Sequence, residues 1–287
     1  MIMPPLFWAG NFIIGRAISY HGAPIGLSFW RWFLATLIIL PFVARPMWFQ
    51  RKILYQYFWQ ISILAILAIS AFNSLAYISL QYTTATNAIL LNSFIPIFIL
   101  ILSGLFFGEK VSILQTTGVM VSMFGVFAIL TKLDIEIIKA LELNRGDLWM
   151  LLAAFDWALY SILLKYLRPK ELSSSAFLGM TILIGTIALY PVYLLNPFAE
   201  ESMAWDTDMI KSLAYIAIFP SIVSYLAWNY GMQKLGASVG GQYLHLMPLF
   251  GAIMAVIFLG EHIQAYHLIG ALSIGIGLWI SMSKRKA

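Results

Sequence analysis

The stretch QYTTATNAILLNSFIPIFILILSGLFFGEK, residues 81–110, returns 152 positions later as QKLGASVGGQYLHLMPLFGAIMAVIFLGEH, residues 233–262. Extended to residues 132 and 284, this register contains 52 pairs, of which eleven are identical. Apolar matches mean little in a chain this oily. A shared proline (Pro96/Pro248), three shared glycines (Gly108/Gly260, Gly118/Gly270, Gly125/Gly277) and a shared Gly-Glu step (Glu109/Glu261) in one register point instead to duplication of a unit. Each unit reads as five membrane-crossing segments. An odd number puts the second copy upside down relative to the first, which is the inverted-repeat plan of secondary transporters.

Composition agrees with a membrane class. Of the 287 residues, 61% are hydrophobic and 10% charged, too few polar groups to cover the outside of a water-soluble core. There is no cysteine, which excludes disulfides and thiolate metal sites. The net charge of +5 lies in short basic runs between apolar segments, so it reads as a topology signal, with no nucleic-acid partner implied. The apolar stretch Met3 to Ile18 has neither a charged leader nor a small-residue cleavage site and reads as a retained first span.

At about 17 to 25 apolar residues per crossing, spans are expected near 3–20, 25–44, 57–80, 84–106 and 111–131, and again near 147–166, 174–195, 209–232, 236–259 and 263–283. The expected fold is an all-α integral membrane protein of ten transmembrane helices in two inverted five-helix repeats. The repeats cover residues 1–131 and 147–287, with an extracytoplasmic linker at 132–146. One set of alternate loops holds eleven basic residues and the other four, together with the acidic clusters around Asp134 and Glu200. Basic residues are retained on the cytoplasmic side, which puts both termini there.

The segments Trp8-Ala9-Gly10-Asn11-Phe12 with Gly15-Arg16, Pro24 with Ser28-Phe29-Trp30-Arg31-Trp32, and the paired Gly108-Glu109 and Gly260-Glu261 resemble the EamA branch of the drug/metabolite transporter superfamily. The likeness spans essentially the whole chain. It implies a bacterial inner-membrane exporter moving amino acids or other small metabolites by alternating access. Its motifs are scaffold features shared by members with different cargoes. The second copy keeps only Trp157-Ala158 of the Trp-Ala-Gly-Asn stretch.

Candidate site residues follow from polar groups inside the spans. Pro96 and Pro248 fall near the middle of the fourth and ninth segments, where each removes a backbone donor and frees the carbonyl four residues earlier, at Asn92 and Leu244. Helices interrupted at the midplane suit a cargo site, and a packing bend is the alternative. The repeat register pairs Ser93 with His245, which is costly in lipid and reads as a cargo contact, a proton carrier or an interhelical hydrogen bond. Asp156 is the acidic residue set deep in a span, a candidate for a coupling proton or a substrate ammonium; the structural alternative is an ion pair with Arg31. An offset of 149 pairs Asn11 with Tyr160, both mid-span, and Arg16 with Lys165, which snorkel to the interfaces or, as the alternative, gate access to an anionic cargo. Asn73 and Tyr77, and Tyr225 and Asn229, are each four residues apart and share a helix face, with Trp228 alongside. An aromatic and amide lining fits a zwitterion with an apolar or aromatic side chain.

Small residues at Gly118, Ser122, Gly125 and at Gly270, Ser273, Gly277 form packing seams, making the fifth and tenth segments a support or a homodimer contact. Glu109 and Glu261 read as N-caps of those segments. No Walker motif is present, so ATP is not the direct drive. The four histidines, His21, His245, His262 and His267, have no metal-ligand spacing, and neither a cofactor nor enzymatic chemistry is expected. The favoured function is a secondary exporter of small metabolites, foremost amino acids. The alternative is a passive facilitator or channel for small solutes.

Overall fold

The computed structural model describes residues 1–18, 24–108, 111–139, 144–195, 205–259 and 262–283. Every regular element among them is helical: α1 (Met3–Ile18), α2 (Pro24–Phe49), α3 (Phe58–Tyr82), α4 (Ala85–Asn92 and Ile95–Phe107), α5 (Ile113–Thr131), α6 (Arg145–Leu167), α7 (Ser174–Leu195), α8 (Thr207–Leu235), α9 (Ala237–Gly240, Gly241–His245 and Leu246–Leu259) and α10 (Ala265–Met282). Eight of these, all but α1 and α9, are long and apolar enough to cross a bilayer. Short helices at Arg51–Gln56 and Ile135–Lys139 lie in the connections.

Eight of the ten expected spans are met to within a few residues, with one extension. α2 runs on to Phe49 through Pro41 and Pro46, because membrane helices accommodate proline when neighbouring groups or adjusted turns satisfy the freed carbonyls. Helix starts are set by short polar side chains that accept from the first free N–H groups. Thr84 accepts from Asn87 N before α4, and Ser112 with Gln115 and Asn144 with Asp147 form reciprocal capping boxes before α5 and α6. The caps of α5 and α10 are thus Ser112 and Gln264, not Glu109 and Glu261, which lie outside the described residues.

α5 packs against α10, α2 against α7, α6 against α3 and α4, and α1 against α8 and α9. The α5–α10 seam is nearly backbone on backbone. A Cβ at Gly118 would lie 2.5 Å from the Gly277 carbonyl oxygen and one at Gly125 would lie 2.6 Å from that of Gly270, the close approach that small residues permit in membranes. The expected seam is therefore filled within the chain.

The irregular backbone is also in register. α3 widens to π-helical turns at Ile66–Ala71 and α8 at Ala217–Val223, segments whose last residues are 152 positions apart. α4 breaks after Asn92 and α9 tightens to 3₁₀ turns at Gly241–His245. Pro96 therefore sits in the first turn of the second half of α4 and Pro248 in the first turn of Leu246–Leu259, where a missing N–H costs least. α2 and α7 share a further register of 150, which aligns Pro41 with Pro191 and Thr36 with Thr186.

Candidate functional site

The wide turns of α3 and α8 supply the frame. A π-turn takes carbonyls out of the ordinary i→i−4 ladder and leaves them to side chains. Asn73 Nδ2 donates to the Ala68 and Ile69 carbonyls at 3.0 and 3.1 Å, and the Tyr225 hydroxyl donates to Ala68 at 2.6 Å. In α8, Ser221 Oγ donates to the Ile216 carbonyl at 2.7 Å, and Trp8 Nε1 donates to the Pro220 carbonyl at 2.9 Å.

Arg31 of α2 reaches between these turns. Its Nε donates to Ser221 Oγ at 2.6 Å, and its Nη1 faces Asn73 Oδ1 at 2.8 Å, the Tyr77 hydroxyl at 3.0 Å and Asn11 Oδ1 at 3.3 Å. The guanidinium also lies 5.0 Å from the Trp32 ring centroid, inside the range of a cation–π contact. Arg31 is 1% exposed. The predicted alternative of an Arg31–Asp156 ion pair is not formed: among the described residues the only salt bridge is Lys139–Glu136 in the linker. Arg31 and Asp156 each have their own surroundings, Arg31 neutral hydrogen-bond acceptors and Asp156 an oxygen, Oδ2, that is buried without a partner.

An aromatic cage closes over this polar centre. Trp8 packs edge-on against Trp157 with centroids 5.2 Å apart, and Trp228 lies 5.3 Å from Trp8 and 5.7 Å from Trp157. Tyr225 stands edge-on to Trp32 at 4.9 Å and to Trp157 at 5.4 Å. Between cage and guanidinium is a central cavity of about 10 Å³, lined by Asn11, Arg31, Asn73, Asn92, Tyr225 and aromatic and aliphatic side chains. That volume admits one water.

The predicted residues fall into three groups. Asn11, Asn73, Tyr77 and Tyr225 converge on Arg31 directly or through one bond. Asn92 lines the same cavity, with Nδ2 3.5 Å from Met247 Sδ and Oδ1 unpartnered. Tyr160 donates to Asn229 Oδ1 at 2.6 Å behind the cage, repeating in the second half the Tyr77-to-Asn11 bond of 3.1 Å in the first, with tyrosine and amide exchanged between helices. The third group lies off the cavity. His245 Nε2 bonds the Ser93 carbonyl at 2.9 Å and Nδ1 bonds Ser122 Oγ at 2.6 Å, tying α9 to α4 and α5. Asp156, Trp228, Pro96 and Pro248 are likewise absent from the cavity lining.

Sequence reasoning missed the hub role of Arg31, which it treated as scaffold, and missed Ser221 entirely. The signal for Arg31 was present, since an arginine eight residues inside a span is expensive unless occupied. Ser221 carried none; only the wide turn of α8 aims it. No group of histidine, aspartate and glutamate able to hold a metal occurs among the described residues.

An all-helical chain with eight membrane-length helices around a buried polar centre is a multi-pass membrane protein. It belongs to the EamA-like transporter family, whose model matches residues 1–131 and 144–283. An uncharacterized transporter of Archaeoglobus fulgidus is 29% identical over 292 residues, covering 98% of this chain and 95% of its own. The Bacillus subtilis transporter YyaM is 26% identical over 275 residues, covering 95% and 89%. A chloroplastic WAT1-related protein of Arabidopsis thaliana is 23% identical over 288 residues, covering 94% and 66%. One solved crystal structure superposes with a TM-score of 0.75 at 15% identity over 98% of this chain and 95% of that one, a likeness in fold.

Proposed function

We propose that this transporter is a secondary active exporter of small metabolites, foremost amino acids with apolar or aromatic side chains, working by alternating access in the bacterial inner membrane with both termini cytoplasmic. α1 and α9 complete ten spans. α1 is 16 residues long, about 24 Å at the helical rise, and α9 runs interrupted from Ala237 to Leu259. Two inverted five-helix repeats, residues 1–131 and 147–287, are then joined by the extracytoplasmic linker 132–146.

The observation that carries this reading is the meeting of residues in equivalent positions. Asn73 and Tyr225 are hydrogen-bonded at 3.1 Å, Ser93 and His245 at 2.9 Å, and Thr36 and Thr186 at 3.0 Å, while the Trp8 and Trp157 rings touch. Residues related by a two-fold axis approach each other only near that axis. Four such pairs, two of them (Asn73 with Tyr225 and Trp8 with Trp157) on the wall of the cavity, support a pseudo-two-fold site between two halves that rock about it. The water-sized cavity supports an occluded state and weighs against an open pore. Asp156 and His245 are the proposed proton carriers.

Counterflow into proteoliposomes, with a panel of labelled amino acids and unrelated metabolites and with or without a pH gradient, tests the reading. Saturable exchange of an amino-acid class is expected, with concentrative uptake only under the gradient. Unsaturable flux would replace the exporter by a facilitator, and exchange confined to other metabolites would remove the amino-acid assignment.

A further inference from the structure

Among the described residues Arg31 is the one buried cation, and no carboxylate pairs with it. Its hydrogen bonds are also unevenly distributed. Nη1 carries two hydrogens and faces three acceptors, at 2.8, 3.0 and 3.3 Å. Nη2 carries two hydrogens and donates to no described residue. A charge buried at membrane depth is costly unless the charge is used. A guanidinium with one whole edge unspent, lining a cavity, has the geometry for a planar two-oxygen anion.

We propose that Arg31 is the anchor for a carboxylate on the transported solute. The proposal rests on the reading of the chain as a small-solute transporter and names the chemical group the central site grips. One carboxylate oxygen takes a hydrogen from Nη2 and the other takes one from Nη1, displacing the weakest of its three present acceptors. That acceptor is Asn11 Oδ1 at 3.3 Å, which keeps the Tyr77 hydroxyl as its donor at 3.1 Å after release. The charge is therefore held by neutral groups that can be given up at little cost. A single guanidinium with no second cation on the cavity wall matches a monoanion and not a phosphate dianion.

The cavity admits only a water, so the exchange requires the halves to part. Arg31 is bonded to α1, α3 and α8 at once through Asn11, Asn73 with Tyr77, and Ser221. Releasing Asn11 removes the direct bond between α1 and Arg31 and leaves α1 tied to the hub through Tyr77, while the bonds of α3 and α8 to the guanidinium persist, so a carboxylate arriving at Arg31 loosens α1 more than its neighbours.

The test is ligand binding to the full-length protein in lipid nanodiscs, read by fluorescence of the caged tryptophans. The probes are matched pairs: alanine and alaninamide, leucine and leucinamide, phenylalanine and phenylalaninamide, propionate and propionamide. Each acid is expected to bind about tenfold or more tightly than its amide, the scale of one charge-assisted bidentate contact. Arg31→Gln should bring acid and amide to parity, with Arg31→Lys intermediate because it keeps the charge and loses the fork. A purely structural arginine would leave the acid-to-amide ratio unchanged in any variant that folds. Should Arg31→Gln not fold, the wild-type ratio decides alone. Equal binding of acids and amides, or binding of none of the acids at millimolar concentration, overturns the proposal. Binding of propionate without any amino acid would uphold the anchor and end the amino-acid reading; amino acids and their amides binding equally would do the reverse.

Discussion

Asn73 and Tyr225 stand 152 positions apart in the chain and 3.1 Å apart in space, and both bond the Ala68 carbonyl in the wide turn of α3. The contact joins equivalent positions of the two sequence copies through one backbone oxygen. Removing the Tyr225 hydroxyl deletes two buried hydrogen bonds, one to the Ala68 carbonyl and one from the Asn73 amide, while Asn73 keeps the Ala68 and Ile69 carbonyls, at about 0.5–1.5 kcal/mol per bond. Tyr225→Phe is therefore expected to destabilise the folded protein by about 1–3 kcal/mol, and thermal unfolding in detergent measures it. A variant as stable as the parent would show that the wide turn does not depend on Tyr225.

The α5–α10 seam makes a position-specific prediction within one helix. Gly277→Val drives a branched side chain into the Gly118 carbonyl and the Ser122 backbone and is expected to cost more than about 2 kcal/mol, since overpacking a tight helix pair forces the backbones apart. Gly275 faces open space, so Gly275→Ala is expected to be neutral or stabilising by up to about 1 kcal/mol through helix propensity. Comparable losses in both variants would contradict the seam.

Proton coupling, as proposed, separates from exchange. Asp156→Asn and His245→Gln should each abolish concentrative uptake driven by a pH gradient while leaving counterflow at least partly active. The orphaned Asp156 Oδ2 and the doubly bonded His245 ring motivate the pair. Full gradient-dependent flux in both variants would remove them from the coupling path.

At the start of α6, Asp147 accepts from Thr83 Oγ1 at 2.7 Å through one oxygen and from Asn144 N at 2.9 Å through the other. The bond to Thr83 ties the α3–α4 turn to the helix that opens the second half. Asp147→Ala is expected to lower stability by about 1–2 kcal/mol, the scale of a lost cap, with solute selectivity unchanged because the residue does not line the cavity. A shift in selectivity would mean that this clamp is part of the transport cycle.

Much of the architecture was legible because a bilayer enforces it locally. Span lengths follow from bilayer thickness, and the α7 boundaries at 174 and 195 coincide with expectation. Polar residues inside spans had to face something, which singled out Asn11, Asn73, Tyr77 and Tyr225. Arg31 was misjudged because an arginine and an aspartate in one apolar chain invite pairing, and whether they meet depends on three-dimensional placement. The 150-residue register of α2 and α7 went unread because Pro41/Pro191 and Thr36/Thr186 are too few matches to stand out without the helix starts at 24 and 174.

By itself the sequence determined the membrane class, the positions of eight spans, the identities in one repeated register and the family resemblance. These depend on hydrophobicity integrated over about 20 residues and on identities in one register. The tertiary structure decided which polar groups share a cavity. Arg31 meets Ser221 across 190 residues and Asn73 meets Tyr225 across 152. Such contacts depend on wide turns that rotate a helix face by a fraction of a turn, a change that leaves no trace in composition or periodicity.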